Sequence, residues 1–466
     1  MLADSLTTPP TGLAEALALV DGLDDALVHG LARVDEDRAA ALGSLAAAFV
    51  GSPLADRVAD SAAEVAAGTV ADEYLLGLAG ARAALLGAAH DALLAGVDAA
   101  LGRTRAAYPA GVGAPGVGAP GGGAGDPALH GSRSWLRELV IAGWRGVDHE
   151  LAGAGAQSVQ ALLAEPAHRR LAVLLDGFAG ELRAGAPVAT LEHVPVRRWA
   201  DLWTRALLLS QPAAAAATAA GPVPVDGRLL VLGVDLHEHP TVFRVQVHGL
   251  LENPDGGVRL VRASVAAGKV DTITGPSAWR MPAGFPVLLG ALAEQRALEV
   301  SGMLLTAAGD LLWDDALARP GEQADPFAVA RVRLADAVAS SAAPLDRHPA
   351  VIAEPVLLEG YTADEEAFDV GGVRLAVAVD RLPSAGPLTP ALVASSTACL
   401  GLLRWDAGGW AVQPMAVQAV VKKKPVAVHT ADWALGPTEP KAAKAEAVDG
   451  SAVQVLRERA GRLLRR

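Results

Sequence analysis

A chain of 466 residues with 52% hydrophobic side chains is too long for one hydrophobic core and, at ~100 to 200 residues per unit, divides into about three bodies. Its formal charge of −13 argues against general nucleic-acid binding, which needs cations to neutralise phosphates, and the single cysteine, Cys399, excludes an internal disulfide framework or a Cys-based zinc cluster. The opening MLADSLTTPP carries an acid and no basic n-region, and no run approaches ~18 unbroken apolar residues, so the expectation is a cytoplasmic protein without a membrane partner.

Residues 1–108 read as a helical domain. Leu13, Leu17, Val20, Leu23, Leu27, Leu31 and Val34 recur at spacings of three and four, and Leu75, Leu78, Leu86, Ala89, Leu93, Val97 and Leu101 repeat the pattern. Short connections between such helices imply antiparallel hairpins in a bundle. Residues 109–131 form a Gly/Pro-rich linker that contains G-x-G-x-x-G twice, from Gly111 and from Gly116. That fingerprint cradles a pyrophosphate only between a strand and a helix; here a helix precedes it and Pro interrupts it, so no nucleotide site is expected.

A helical segment spans 132–211, with Leu136, Leu139, Val140, Trp144, Val147 and Leu151 on one stripe. Its sequence leaves open whether it packs with 1–108 or stands apart. Tryptophans at helical spacing, Trp199 and Trp203 among them, read as core packing. An Ala/Pro linker covers 212–225.

From Arg228 the period changes to two. Leu232, Val234 and Leu236 alternate with Gly233, Asp235 and His237, and Phe243, Val245 and Val247 with Arg244, Gln246 and His248, as in strands with one buried and one wet face. Two β-rich domains are expected, 226–340 and 341–440. The stretch His239–Val265 is echoed by His348–Val379: each runs from a His-Pro pair to Leu-Leu-Glu, a polar turn and Gly-Gly-Val-Arg-Leu. Further strands are expected at 298–305, 310–314, 351–359, 373–380, 400–405 and 409–421, and short helices at 286–296 and 326–340. The fold class is therefore α+β multidomain, an N-terminal α-helical bundle followed by tandem antiparallel β-rich domains, with a basic tail helix at 441–466.

The strongest site candidate is metal binding by Asp235, His237, His239 and His248, since imidazoles and a carboxylate projecting across a hairpin suit zinc or iron. The competing reading gives these residues to a solvated strand face and His239 to turn entry. Asp314/Asp315 and Asp364/Glu365/Glu366 lie near turns and read as loop acids, and Cys399 in an apolar run reads as a buried thiol. Lys422, Lys423 and Lys424 with Arg457, Arg459 and Arg462 could dock an acidic partner, against the alternative of a solvated strand end and a helix whose cations favour its C-terminal dipole. P-loop, H-E-x-x-H, G-x-S-x-G and paired C-x-x-C motifs are absent, so no cofactor is expected and the balance tips away from an enzyme.

The segments SPLADRVADSAAEVAAG (52–68) and ARAALLGAAHDALLAG (81–96) resemble an uncharacterised family from high-GC bacteria, encoded beside a MoxR-type AAA+ ATPase, a von Willebrand A-domain protein and a SWIM zinc-finger protein. The resemblance implies a protein partner in an ATPase-linked assembly and supplies no catalytic residues. The expected function is a non-enzymatic adaptor or scaffold. The alternative is a metal-dependent hydrolase or metalloprotein using the Asp235 cluster.

Overall fold

A computed structural model describes residues 6–108, 127–211, 221–406, 408–421 and 423–437, with isolated positions at 440, 443–444, 454–455 and 458–459. Among the described residues nine α-helices with defined bounds precede the first strand: α1 (Leu13–His29), α2 (Glu36–Ala47), α3 (Ala55–Ala66), α4 (Asp72–Leu101), α5 (Pro127–Ala142), α6 (His149–Gly153), α7 (Ala156–Ala164), α8 (Arg169–Gly185) and α9 (Val196–Leu209). Their ends follow local chemistry. Asp35 accepts from the Arg38 N–H to start α2, Asp148 accepts from Leu151 to start α6, and Gly102 closes α4 in the left-handed region.

One apolar core runs through all of this helical half. Leu27, Leu75 and Leu78 share it with Trp144, Phe178 and Trp203. The segments either side of residues 109–126 are thus a single bundle, because buried residues of both belong to that one core. Helix α5 begins at Pro127, inside the stretch expected to be linker. The tryptophans are core: Trp144 meets Phe178 and Trp199 edge-on at ring separations of 6.0 and 6.2 Å, and the Trp203 indole donates to the Leu136 carbonyl.

The C-terminal half holds two sheets. The first contains β1 (Val223–Glu238), β2 (Val242–Glu252), β3 (Val258–Gly268), β4 (Arg296–Leu305), β5 (Asp310–Leu312) and β6 (Ala318–Gln323), with helix α10 (Pro286–Ala293) between β3 and β4. Strand order is β1-β2-β3-β5-β4-β6, and β1 also pairs with β4. The ring β1-β2-β3-β5-β4-β1 therefore closes into a barrel. Strand β1 serves two partners because it bends: Val223–Leu229 pairs with β4 and Arg228–Glu238 with β2, with bulges at Gly227 and Gly233. Closure of this kind leaves few strand edges and gives a five-stranded Greek-key barrel of the OB type.

The second sheet repeats the scheme. Its strands are β7 (Glu354–Glu359), β8 (Thr362–Ala363), β9 (Ala367–Val370), β10 (Val373–Val377), β11 (Ser396–Asp406), β12 (Gly409–Val421) and β13 (Lys424–His429), with helix α12 (Pro390–Ala394) before β11; α11 (Pro326–Arg333) lies between the barrels. β7 and β8 are one bent strand, pairing with β11 before Gly360 and with β9 after it, as β1 does with β4 and β2. The parallel pair β10–β12 matches β3–β5, so each sheet is antiparallel except at this one ladder.

The duplicated plan is real, but the sequence echo aligns only in part. Gly-Gly-Val-Arg-Leu opens the third strand of both barrels, β3 and β10; at Gly371–Gly372 both residues have positive φ and close a two-residue hairpin. Leu-Leu-Glu, by contrast, ends the second strand in one barrel (β2) and the first in the other (β7). In that half the echoed residues occupy different strands of the shared plan.

Three joints lock the bodies together. Between barrels, Leu232, Leu250, Phe327, Leu400 and Ala416 form a shared apolar layer, and a Cβ on Gly233 would lie 2.6 Å from that of Met415. Helix α4 is the one helix among the described residues long and apolar enough to cross a membrane; its apolar residues are divided among the bundle core (Leu75, Leu78), the second barrel (Val97) and a small cluster with Ile352 and Trp405 (Ala89, Leu93). Just beyond α4, buried Arg103 donates to Glu354 at 2.9 Å and to the Pro355 carbonyl at 2.9 Å.

Candidate functional site

The inner face of β1–β3 (Val234, Leu236, Phe243, Val245, Val247, Val261, Ala263, Val265) fills the first barrel. The alternate residues point outward: Asp235 and His237 on β1, opposite Gln246 and Arg244 on β2, with His248 beside Arg262 on β3. This outer face is not simply wet. The second barrel covers its β1 side, and α4 with the 339–355 connector overhangs its β2–β3 side.

On the β1 side, Asp235 is 3% exposed. Arg404 Nη2 donates to its Oδ2 at 2.7 Å, Gln413 Nε2 to its Oδ1 at 2.8 Å, and His237 Nε2 lies 2.9 Å from Oδ2. Burial pushes this carboxyl up, but the His237 hydrogen bond and the Arg404 charge outweigh it and hold it well below the usual carboxylate range. Arg404 and Gln413 belong to the second barrel, so Asp235 serves the joint.

The four candidate metal ligands are not brought together at one point. His239 accepts the Thr241 N–H with Nδ1 and shapes its own His-Pro turn, as His348 does with the Ala350 N–H. His237 stays near Asp235 and the Arg244 guanidinium, while His248 lines a different cavity. Among the described residues no group of three or more His, Cys, Asp or Glu side chains is arranged to hold a metal ion.

The other chemical candidates also have structural partners. Asp315 accepts from the Val287 and Leu288 N–H groups at the start of α10 and from the Trp313 indole, and Asp314 caps its own turn. Asp364 accepts from the Glu366 and Ala367 N–H groups. Cys399 is buried in the second barrel core, where burial pushes its thiol far up and away from the thiolate a nucleophile needs. Lys423 and Lys424 are exposed at the β12–β13 hairpin, Arg459 is exposed, and Lys422, Arg457 and Arg462 lie outside the described residues.

On the β2–β3 side lies a cleft of about 360 Å³. Arg244 stands exposed at its mouth, Gln246 is half-buried, and His248, 1% exposed, sits deepest. Arg244 donates to Gln246 Oε1 at 2.9 Å, and the Gln246 amide nitrogen is 3.4 Å from His248 Nε2. Arg262 pairs with Asp310 at 2.9 Å. The opposite wall brings His90 and Arg105 from α4 and its C-terminal extension, and Arg205 from α9. Arg105 is held by Asp98 and Glu354, and Arg205 by Asp201 and Asp346. Sequence periodicity placed Arg244, Gln246 and His248 on one face but could not show the overhanging wall that buries His248.

Burial depresses His248 to about 3 and His348 to about 4. A folded pKa below the unfolded ~6.5 means the unfolded chain takes up protons first as pH falls. Stability fully present above ~6.5 is therefore lost on acidification towards these folded values, at about 2 kcal/mol per histidine by pH 5. Denaturant unfolding at pH 7 and pH 5 should show this loss, and His248→Gln should remove roughly half of the two-histidine total. An unchanged pH dependence in that variant would mean that His248 is not held neutral.

No family model, curated protein or solved structure matches the chain.

Proposed function

We propose that the protein is a cytoplasmic adaptor or scaffold subunit of a multiprotein assembly, acting by surface recognition. The observation that carries this reading is the use made of Asp235: the carboxylate best placed for chemistry is committed, through Arg404 and Gln413, to fixing one barrel against the other. Arg103 does the same between the bundle and the second barrel. A rigid block of three bodies presents several faces in fixed geometry, which suits a subunit that spaces partners. The lone buried thiol of Cys399 fits a reducing compartment.

A MoxR-type AAA+ ATPase and a von Willebrand A-domain protein are the partners to test first, from the resemblance of 52–68 and 81–96. Affinity capture of the full chain from its native host, followed by mass spectrometry, is expected to recover one of them in near-stoichiometric amount. Recovery of neither, together with stoichiometric zinc or iron that is lost on His237→Ala, would replace the adaptor reading with the metalloprotein one.

A further inference from the structure

The duplication supplies a comparison for the cleft on the first barrel. In the second barrel the matching strands carry Asp369 opposite Arg374 and a buried Ala367 opposite Ala376, and Arg374 pairs with Asp364 at 2.9 Å. In the first barrel the same two strands carry Arg244, Gln246 and His248 on β2 and Arg262 on β3. Pleat alternation explains polarity on a wet face, but not a histidine that is 1% exposed on the floor of a cavity.

The charge arrangement indicates what the cavity accepts. The cleft is lined by four arginines, Arg105, Arg205, Arg244 and Arg262, against three carboxylates, Asp310, Asp346 and Glu354, inside a protein of net charge −13. Arg105, Arg205 and Arg262 each have carboxylate partners. Arg244 has none among the described residues: its neighbours are Gln246 Oε1 and His237 Nε2. That His237 nitrogen is also 2.9 Å from Asp235, and a nitrogen that donates to a carboxylate cannot at the same time accept from a guanidinium. One guanidinium nitrogen of Arg244 is thus held by Gln246, while its Nη1 and Nε meet no protein acceptor among the described residues and can serve an oxyanion, with the neutral His248 ring further in and Arg262 alongside.

We propose that the cleft between β2–β3 of the first barrel and α4 binds a small phosphate-class oxyanion through Arg244, Arg262 and His248. This goes beyond the adaptor reading and stands whether or not that reading holds. The volume suits a metabolite. Barrels of this type use the same face for oligonucleotides elsewhere, but no Phe, Tyr or Trp side chain lines this cleft to stack a base, and α4 overhangs the strand path.

Isothermal titration of the full chain with sodium pyrophosphate, in buffer matched for ionic strength with chloride, tests it. A saturable one-site isotherm is expected, weakened at least tenfold by Arg244→Gln and unaffected by Arg296→Gln, a half-buried arginine of β4 outside the cleft. His248→Gln, which keeps a polar side chain on the floor, should weaken binding while circular dichroism stays unchanged. No saturable heat at millimolar pyrophosphate, or equal losses in Arg244→Gln and Arg296→Gln, would overturn the proposal. Tighter binding of an oligothymidine than of pyrophosphate, with a steep salt dependence, would overturn the small-ligand assignment.

Discussion

Arg404→Ala should cost about 3 to 5 kcal/mol of unfolding free energy at pH 7, among the largest single-residue effects in the molecule. The substitution removes the guanidinium facing Asp235 and leaves a carboxylate, 3% exposed, with two weaker partners, Gln413 and His237. Most of the cost is that uncompensated charge and not lost contact area, which makes the prediction separable from simple truncation. Restoring neutrality with Asp235→Asn in the Arg404→Ala background should recover much of the loss, although Asp235→Asn alone would strand Arg404. The pH dependence carries a second signature. In the native protein the depressed Asp235 carboxyl contributes stability above its unfolded pKa, and that contribution is lost as pH falls through the folded value. Without the Arg404 charge the folded pKa rises, so the variant's deficit should shrink on acidification. A deficit of the same size at pH 7 and pH 4 in denaturant titrations would show that the charge at Asp235 is not what Arg404 serves.

The architecture was legible where one physical rule dominated. The helical stripes, the switch to period two at Arg228 and the Gly-Gly turns lead directly to α1–α9, to β1–β3 and to the β9–β10 hairpin. Strand β12 occupies the expected 409–421. What stayed hidden is how outer faces are covered, because that depends on contacts between bodies far apart in the chain. His248 looked solvent-facing from its alternation, yet lies buried beneath a wall contributed by α4 and the connector. Asp235 looked like a ligand, and the residues that claim it, Arg404 and Gln413, are 169 and 178 positions away. Arg82 did leave a signal. It stands four residues after Leu78 and four before Leu86, on the apolar stripe itself, and such a charge on a core face demands a buried partner. That partner is Asp24 of α1, met by two guanidinium nitrogens at 2.7 and 3.1 Å. The Gly/Pro segment that carries the G-x-G-x-x-G patterns, and most of the basic tail, fall outside the described residues.

Residues 1–108 and 127–466, produced together as separate chains, should assemble into one particle, because the bundle core needs both. Leu27, Leu75 and Leu78 lie on one piece and Trp144, Phe178 and Trp203 on the other, all within one apolar cluster, and each is 0% exposed in the intact protein. Expressed alone, 1–108 would present its leucine stripes to water and should be found unfolded or aggregated. The joint has an anchor that tests the packing. Trp203 is wholly buried, contributes to the shared core and donates its indole N–H to the Leu136 carbonyl at 3.1 Å. Trp203→Ala should destabilise the intact chain by about 3 to 5 kcal/mol, through lost burial, the cavity left behind and the unpaired carbonyl. In the split protein the lost burial in the shared core should weaken association by at least tenfold, since each ~1.4 kcal/mol is a factor of ten; the bond to Leu136 lies within the 127–466 piece and adds nothing across the joint. Size-exclusion chromatography of the co-expressed pieces, with and without the substitution, reads both effects. Two fragments that elute separately, each with native helical circular dichroism, would mean that the helices before and after the Gly/Pro segment are independent domains.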